Sequence, residues 1–153
     1  MTSNSPTAMT DETAQIERIL EAPRERVFQA WTEADQVAAW YGPAHVEIPR
    51  DGIRIDPRVG GRWEVTMILP GGRQFVAGYE IEALVEPELI VMRSDPMPEA
   101  GMSEGTVVRV EFHALGARTR VTLTDGPFPP GGSAPAAAGY TAALDKLAAY
   151  LTA

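Results

Sequence analysis

An apolar stripe near the C-terminus limits the folds open to this 153-residue chain more than any other feature of its sequence. Its members fall at positions i, i+4, i+7, i+8 and i+11, the spacing of one face of an α-helix. They are Tyr140, Leu144, Leu147, Ala148 and Leu151. A single amphipathic helix must bury such a face against another layer of structure. The rest of the chain therefore has to supply a surface for this helix to cover.

That surface is predicted to be a sheet, because apolar and polar residues alternate in several segments after Pro43, as in strands with one buried face. The alternation predicts the inward-facing residues Trp63, Val65, Met67, Phe75, Tyr79, Ile81, Val108, Val110, Phe112, Val121 and Leu123. Pro70-Gly71-Gly72 separates two such segments and predicts a hairpin turn. The Pro- and Gly-rich segment from Gly126 to Pro135 predicts an irregular loop before the final helix. We expect a meandering antiparallel sheet of about six or seven strands.

The N-terminal part of the chain predicts a tail, a strand and two short helices. Residues 1–13 are small and polar, and we interpret them as a disordered tail. Gln15–Leu20 is a predicted strand, and Pro23 suits the first turn of the helix that follows it. A second short helix is predicted for Glu33–Trp40, and Tyr41-Gly42-Pro43 ends it.

Several short strings along the chain together resemble a known family. They are Ala22-Pro23, Ala30-Trp31-Thr32, Trp40-Tyr41-Gly42-Pro43, Gly60-Gly61, Gly78-Tyr79, Thr119–Leu123 and Gly139-Tyr140. In their order and spacing they resemble the START-like, or SRPBCC, superfamily, and within it the bacterial branch named after the activator of the heat-shock-protein ATPase. The resemblance covers residues Gln15 to Leu151. Two strings depart from the family: Trp40-Tyr41 stands where Trp-Trp is common, and Val59-Gly60-Gly61 where Pro-Gly-Gly is usual.

The resemblance implies an α+β helix-grip fold. In that fold a curved antiparallel sheet wraps around a long C-terminal helix, and two short helices follow the first strand. Residues 14–153 would form a single domain of this kind. A cavity lies between sheet and helix in such proteins, whose members bind lipids, sterols, polyketides or plant hormones, and some carry out cyclase or dehydratase chemistry. Since both departures fall near the pocket mouth, the ligand is expected to differ from that of relatives.

A pocket in this fold would be lined by large apolar side chains and a few polar ones. The predicted lining is Trp31, Trp40, Trp63, Met67, Phe75, Tyr79, Met92, Arg93, Val110, Phe112, Tyr140 and Leu144. The same residue types fill protein cores, so core packing is the alternative for each of them. The hydroxyls of Tyr79 and Tyr140 would either orient a ligand or reach solvent or a backbone carbonyl.

Two positions carry alternatives that the pattern leaves open. Leu89–Met92 is a continuous apolar run, so its inward face does not follow from alternation. If Leu89 and Val91 face inward, Arg93 does too, and it would bind an anionic group of a ligand or lie at the rim. Gly139, inside the predicted last helix, is expected to let the helix approach the sheet, or else to leave space for a ligand.

Composition excludes several classes of function. The chain has no cysteine, which excludes disulfides, thiolate catalysis and iron–sulfur clusters. Its net charge is −8 and its 13 basic residues are scattered, so no nucleic-acid partner is expected. No run of ~20 apolar residues predicts a membrane span, and without a signal-like N-terminus we expect a cytoplasmic protein. No metal and no cofactor are predicted, because the sequence has neither a His/Asp/Glu ligand spacing nor a nucleotide fingerprint.

Three functions remain in view. We expect the chain to bind a small apolar or aromatic metabolite, lipid-like or polyketide-like, in the cavity. The first alternative is an enzyme of the cyclase, dehydratase or hydrolase type, which requires a titratable group with a perturbed pKa at the cavity wall. The second is a chaperone-associated or stress-response interaction module. Pairing of exposed sheet edges would allow a homodimer.

Overall fold

The computed structural model describes residues 11–42 and 45–153. Its strands are β1 (Glu12–Leu20), β2 (Ile53–Ile55), β3 (Arg62–Ile68), β4 (Gln74–Val85), β5 (Leu89–Ser94), β6 (Val107–Leu115) and β7 (Arg118–Phe128). Its α-helices are α1 (Arg24–Thr32), α2 (Ala34–Trp40) and α3 (Ser133–Thr152), with short 3₁₀ helices at Arg50–Gly52 and Pro98–Ala100. This is the predicted order of elements, with two short helices after the first strand and a long helix at the end.

All seven strands join in one antiparallel sheet in the order β1-β7-β6-β5-β4-β3-β2. Strands β2 to β7 therefore form a meander, and β1 returns to pair with β7 along almost its whole length. The turn predicted at Pro70-Gly71-Gly72 joins β3 to β4, and Met67 pairs with Phe75 beside it. The predicted α+β helix-grip architecture is confirmed.

The first strand begins earlier than predicted. Glu12 pairs with Phe128 and Ala14 with Asp125, because β7 continues far enough to offer partners beyond Gln15. The tail predicted for residues 1–13 is therefore wrong for Glu12 and Thr13, which belong to β1. Residues 1–10 and 43–44 lie outside the described residues.

Helix α3 covers the inner face of the sheet, as its apolar stripe predicts. Leu144 and Leu147 are fully buried, while Tyr140, Ala148 and Leu151 are half-buried and pack against the same core. The outer face of the sheet carries ion pairs instead, among them Arg109 with Glu111 at 2.7 Å. The core therefore lies between the sheet and the three α-helices.

Aromatic side chains attach the two short helices to this core. The Trp40 indole donates to the carbonyl oxygen of Ala30 at 2.8 Å, and the Trp63 indole on β3 donates to that of Trp31 at 2.9 Å. The Trp31 ring lies 4.6 Å from that of Trp40 and 5.5 Å from that of Phe112 on β6. The buried indole N–H groups of Trp40 and Trp63 thus each have an acceptor, as a buried polar group requires.

Candidate functional site

A cavity of about 780 Å³ opens between the first half of α3 and one end of the sheet. Met67 and Phe75 of the β3–β4 hairpin line one side of it, and the loop Phe128–Gly132 lines another. Helix α3 contributes Pro135 and Tyr140 to the cavity wall, together with the small residues Ala136, Gly139 and Ala143. The volume falls within the ~300–1,000 Å³ typical of small-molecule sites, and the wall is mainly apolar, as such sites are.

Three of the predicted pocket residues line this cavity, namely Met67, Phe75 and Tyr140. Most of the others surround a gap of only about 10 Å³ deeper in the core. They are Trp31, Trp40, Trp63, Tyr79, Met92 and Leu144. Such a gap holds about one water molecule and no ligand. The positions of these six side chains therefore fit the alternative of core packing. The same is true of Val110 and Phe112, which are fully buried.

The prediction that Arg93 faces the pocket is wrong. On β5 the buried residues are Ile90, Met92 and Ser94, so Arg93 lies on the outer face. There its Nε donates to a carboxylate oxygen of Glu82 at 2.9 Å. Since successive side chains of a strand point to opposite faces, Met92 and Arg93 cannot both face inward.

The surroundings of Gly139 also differ from what was first expected of this residue. It was expected to let α3 approach the sheet, yet a Cβ built at this position would meet no atom within 4 Å. Gly139 lies at the cavity, so its missing side chain leaves open space there. The position of Gly139 therefore fits the second alternative, in which its missing side chain leaves open space beside the helix.

The loop Phe128–Gly132 is held in place by a carboxylate from the other end of the chain. Oε1 of Glu12 accepts hydrogen bonds from the Gly131 and Ser133 amides at 3.1 and 3.2 Å and from the Ser133 hydroxyl at 2.7 Å. These donors, the Ser133 hydroxyl first among them, lower the pKa of Glu12. The first amides of a helix lack partners within it, and Glu12 supplies one from β1. Glu12 thus fixes both the loop and the start of α3.

A buried carboxylate lies at the cavity wall, and the sequence analysis did not identify it. Asp125 on β7 is only 5 % exposed, and its Oδ2 accepts a hydrogen bond from the Tyr140 hydroxyl at 2.7 Å. Its Oδ1 is buried and has no hydrogen-bond partner among the described residues. Burial raises the pKa of Asp125, although Thr106, the Tyr140 hydroxyl and the Gly126 amide act in the opposite direction.

Alternation along β7 provided the signal for Asp125. Val121 and Leu123 are the inward-facing residues predicted from that pattern, and both are fully buried. Asp125 is the next residue of the same parity and therefore faces inward too. The alternation predicted from the sequence was followed only as far as Leu123, so Asp125 was missed.

Two further tyrosines place hydroxyls near this carboxylate. The hydroxyls of Tyr41, Tyr79 and Tyr140 interact with one another and with Asp125. Burial raises the pKa of all three, and proximity to Asp125 adds to the effect. Neighbouring hydroxyls raise the pKa of Tyr41 and Tyr140 further, whereas hydrogen bonds with Tyr41 and Tyr140 act in the opposite direction on the pKa of Tyr79. Tyr41 is the residue at which the chain departs from the Trp-Trp of the family. Its hydroxyl can accept as well as donate a hydrogen bond, whereas the indole N–H of a second tryptophan could only donate.

Helix α3 also contacts the backbone of Tyr41. The ammonium group of Lys146 donates to the carbonyl oxygen of Tyr41 at 3.1 Å. The Tyr41 ring packs edge-on against that of Trp63, with centroids 5.0 Å apart. Lys146 and Trp63 thus fix the backbone and the ring of Tyr41 at the cavity wall. Partial burial lowers the pKa of Lys146.

The raised pKa of Asp125 predicts how stability responds to pH. Its ordinary pKa is 3.8 and its native pKa is higher, so the folded protein keeps this proton over a range in which the unfolded chain has lost it. This residue therefore makes the unfolding free energy fall as pH rises from its ordinary pKa through its native pKa. Asp125→Asn removes the contribution, so its stability relative to wild type should be higher at pH 7 than at pH 4. Urea unfolding of both proteins at the two pH values measures this difference.

The comparison between pH values is needed because an amide at this site has its own cost. A buried Asn side chain must find partners for its N–H groups, which changes stability by an amount independent of pH. The ionisation of Asp125 is therefore measured by how the difference in unfolding free energy between the two proteins changes from pH 4 to pH 7. A constant difference from pH 4 to pH 7 would contradict the prediction.

Metal binding and membrane insertion are two further properties that bear on the function. Within residues 11–42 and 45–153, no three His, Cys, Asp or Glu side chains come together in a way that could hold a metal ion. In the same part of the chain, every helix is too short or too polar to cross a membrane.

Comparison with known proteins gives a family and many related structures. A family described as "Activator of Hsp90 ATPase homolog 1-like protein" matches residues 21–152. A protein from Chromobacterium violaceum is 23% identical, with a TM-score of 0.80 over 90% of this chain and 95% of the other. The AHSA1-like protein from Aeromonas hydrophila is 24% identical, with a TM-score of 0.77 over 92% of each chain. At these identities the similarity shows the fold alone. No curated protein matches the chain.

Proposed function

The chain belongs to the activator of Hsp90 ATPase homolog 1-like family, and from its cavity we propose that it binds a small, largely apolar molecule between α3 and the sheet. The observation that carries this proposal is the cavity of about 780 Å³ with its mainly apolar wall. Transfer of apolar surface from water into such a wall is favourable by roughly 25 cal/mol per Å². A lipid-like or polyketide-like metabolite has the apolar surface that this interaction requires.

The form of the wall supports a ligand that enters from outside. The cavity is open to solvent, and Phe75 in its wall is 42 % exposed. Met67 and Met102 provide unbranched side chains that adapt to irregular shapes. The small residues of α3 keep the helix side of the cavity free, and the loop Phe128–Gly132 forms a further part of the wall.

Native mass spectrometry of freshly purified protein tests the proposal. We expect a species with the mass of the chain plus one small molecule, and we expect acid denaturation to release that molecule. Protein that carries nothing should still bind N-phenyl-1-naphthylamine, an uncharged apolar fluorophore, with a stoichiometry of one. Absence of both the native adduct and fluorophore binding would refute the proposal.

Catalysis is a second candidate function, and Asp125 is the observation that favours it. The enzyme alternative requires a titratable group with a perturbed pKa at the cavity wall, and Asp125 together with Tyr140 meets that requirement. A carboxyl group with a raised pKa is suited to take up or give a proton. The molecule recovered from the protein distinguishes the two functions. A binding protein returns it unchanged after incubation with fresh protein, whereas an enzyme converts it catalytically.

A further inference from the structure

We propose that this cavity selects molecules that carry a hydroxyl group on an apolar body, and that the carboxylate of Asp125 is the group that recognises the hydroxyl. The inference rests on the proposed function, because it takes the cavity as a ligand site. It adds the polar chemistry that such a ligand must present.

The recognition group is the free oxygen of a carboxylate that is already oriented. The Tyr140 hydroxyl donates to Oδ2 of Asp125 at 2.7 Å, which fixes the plane of the carboxyl group. Oδ1 is left buried without a partner among the described residues. The Thr106 hydroxyl and the Gly126 amide also lie near this carboxyl group and lower its pKa, but neither meets the distance and angle of a hydrogen bond to Oδ1. The Thr106 hydroxyl lies 3.4 Å from the Ser94 hydroxyl.

An unsatisfied carboxylate oxygen discriminates strongly between donors and acceptors. A buried polar atom without a partner costs about 1–3 kcal/mol, and more when it is charged. A ligand that donates a hydrogen bond to Oδ1 removes that cost. A ligand that presents only a carbonyl or ether oxygen places two acceptors against each other and leaves the cost in place.

The other polar groups near the carboxylate are compatible with a hydroxyl. Tyr41 and Tyr140 line the cavity. The Tyr41 hydroxyl can accept as well as donate, and the Tyr140 hydroxyl, which donates to Asp125, can still accept from a ligand O–H. Beyond them the wall is mainly apolar, which suits the body of the molecule. Open space at Gly139, on the helix turn that carries Tyr140, leaves room for that body at the cavity.

Two matched probes test the inference by isothermal titration calorimetry. 2-Naphthol carries a hydroxyl donor, whereas 2-acetylnaphthalene carries only a carbonyl acceptor on the same ring system. We expect wild-type protein to bind 2-naphthol at least about tenfold more tightly, the factor that corresponds to ~1.4 kcal/mol. Equal affinity of the two probes, or tighter binding of 2-acetylnaphthalene, would overturn the inference.

Two variants locate the preference on Asp125. In Asp125→Asn the amide oxygen keeps the bond from Tyr140, so the amide N–H₂ replaces Oδ1 and favours acceptors; the preference for 2-naphthol should disappear or reverse. In Tyr140→Phe the carboxylate remains, and the preference should persist. A preference that survives Asp125→Asn but is lost in Tyr140→Phe would assign recognition to Tyr140 and refute the role of Asp125. Near-ultraviolet circular dichroism verifies that both variants are folded.

The same titrations separate failure of this inference from failure of the proposed function. If the wild-type protein binds both probes without preference, the cavity is a ligand site but Asp125 does not select the ligand. If the wild-type protein binds neither probe nor N-phenyl-1-naphthylamine, and carries no molecule from the cell, the proposed function itself fails.

Discussion

Trp63→Ala should lower the unfolding free energy by about 3–5 kcal/mol, the range found for large aromatic residues deleted from cores. Trp63 is 1 % exposed and packs against the rings of Tyr41 and Tyr79 at 5.0 and 5.7 Å. Its indole also donates to the carbonyl oxygen of Trp31, so the substitution removes a buried hydrogen bond as well. Urea denaturation followed by far-ultraviolet circular dichroism measures the change.

Phe75→Ala is the matched control for this prediction. Both aromatic residues were predicted to line the pocket, and they lie on paired strands, yet Phe75 is 42 % exposed at the cavity rim. Its removal should lower the unfolding free energy by only about 1 kcal/mol, since little buried surface is lost. It should instead weaken binding of N-phenyl-1-naphthylamine. If the two substitutions destabilise the protein equally, the assignment of Trp63 to the core is wrong.

This pair of residues shows where sequence-based prediction of the site reaches its limit. Alternation correctly placed Trp63, Tyr79 and Phe75 on the inner face of the sheet, because strand periodicity is a local property. Whether an inner-face side chain meets another side chain or an empty volume depends on how α3 crosses the sheet. That geometry comes from packing between segments far apart in sequence. Cores and pockets use the same residue types, so composition does not separate them.

The fold itself was predictable because its signals are local and repeated. The stripe from Tyr140 to Leu151 defines one helix face, and the hairpin at Pro70-Gly71-Gly72 fixes the pairing of β3 with β4. The continuous apolar run at the start of β5 lacks such a signal, and the error on Arg93 arose there. The pairing of β5 with β4 also has a register irregularity between Ile81 and Ala83. The sequence of β5 gives no sign of this extra residue on β4.

The remaining parts of the site are formed by contacts over long sequence separations. Glu12 reaches Ser133 from the other end of the chain, and nothing near Glu12 in the sequence indicates a helix start as its partner. That contact helps to hold the loop Phe128–Gly132 where it lines the cavity. Asp125 differs from these, since extending the alternation of Val121 and Leu123 by one step would have given its inward orientation. A systematic search of inner-face positions for charged residues would have found it.

Gly139→Trp should abolish ligand binding without unfolding the protein. The new side chain starts from a position where a Cβ meets no atom within 4 Å, and Gly139 lies at the cavity. An indole there should occupy space that a ligand would use, so we expect affinity for N-phenyl-1-naphthylamine to fall at least about 100-fold, a loss of ~2.7 kcal/mol. A fluorescence titration measures the affinity. The unfolding free energy should not fall, because tryptophan is a better helix former than glycine.

Two substitutions on the same helix control for effects other than filling the cavity. Gly139→Ala should raise the unfolding free energy by up to about 1 kcal/mol, since alanine favours a helix interior and its methyl group meets open space. It should leave most of the cavity available. Thr141→Trp places the same indole on an exposed position of α3 and should leave fluorophore binding unchanged. Full binding by Gly139→Trp, or equal loss in Thr141→Trp, would show that the ligand does not occupy this cavity, because only the first indole reaches it.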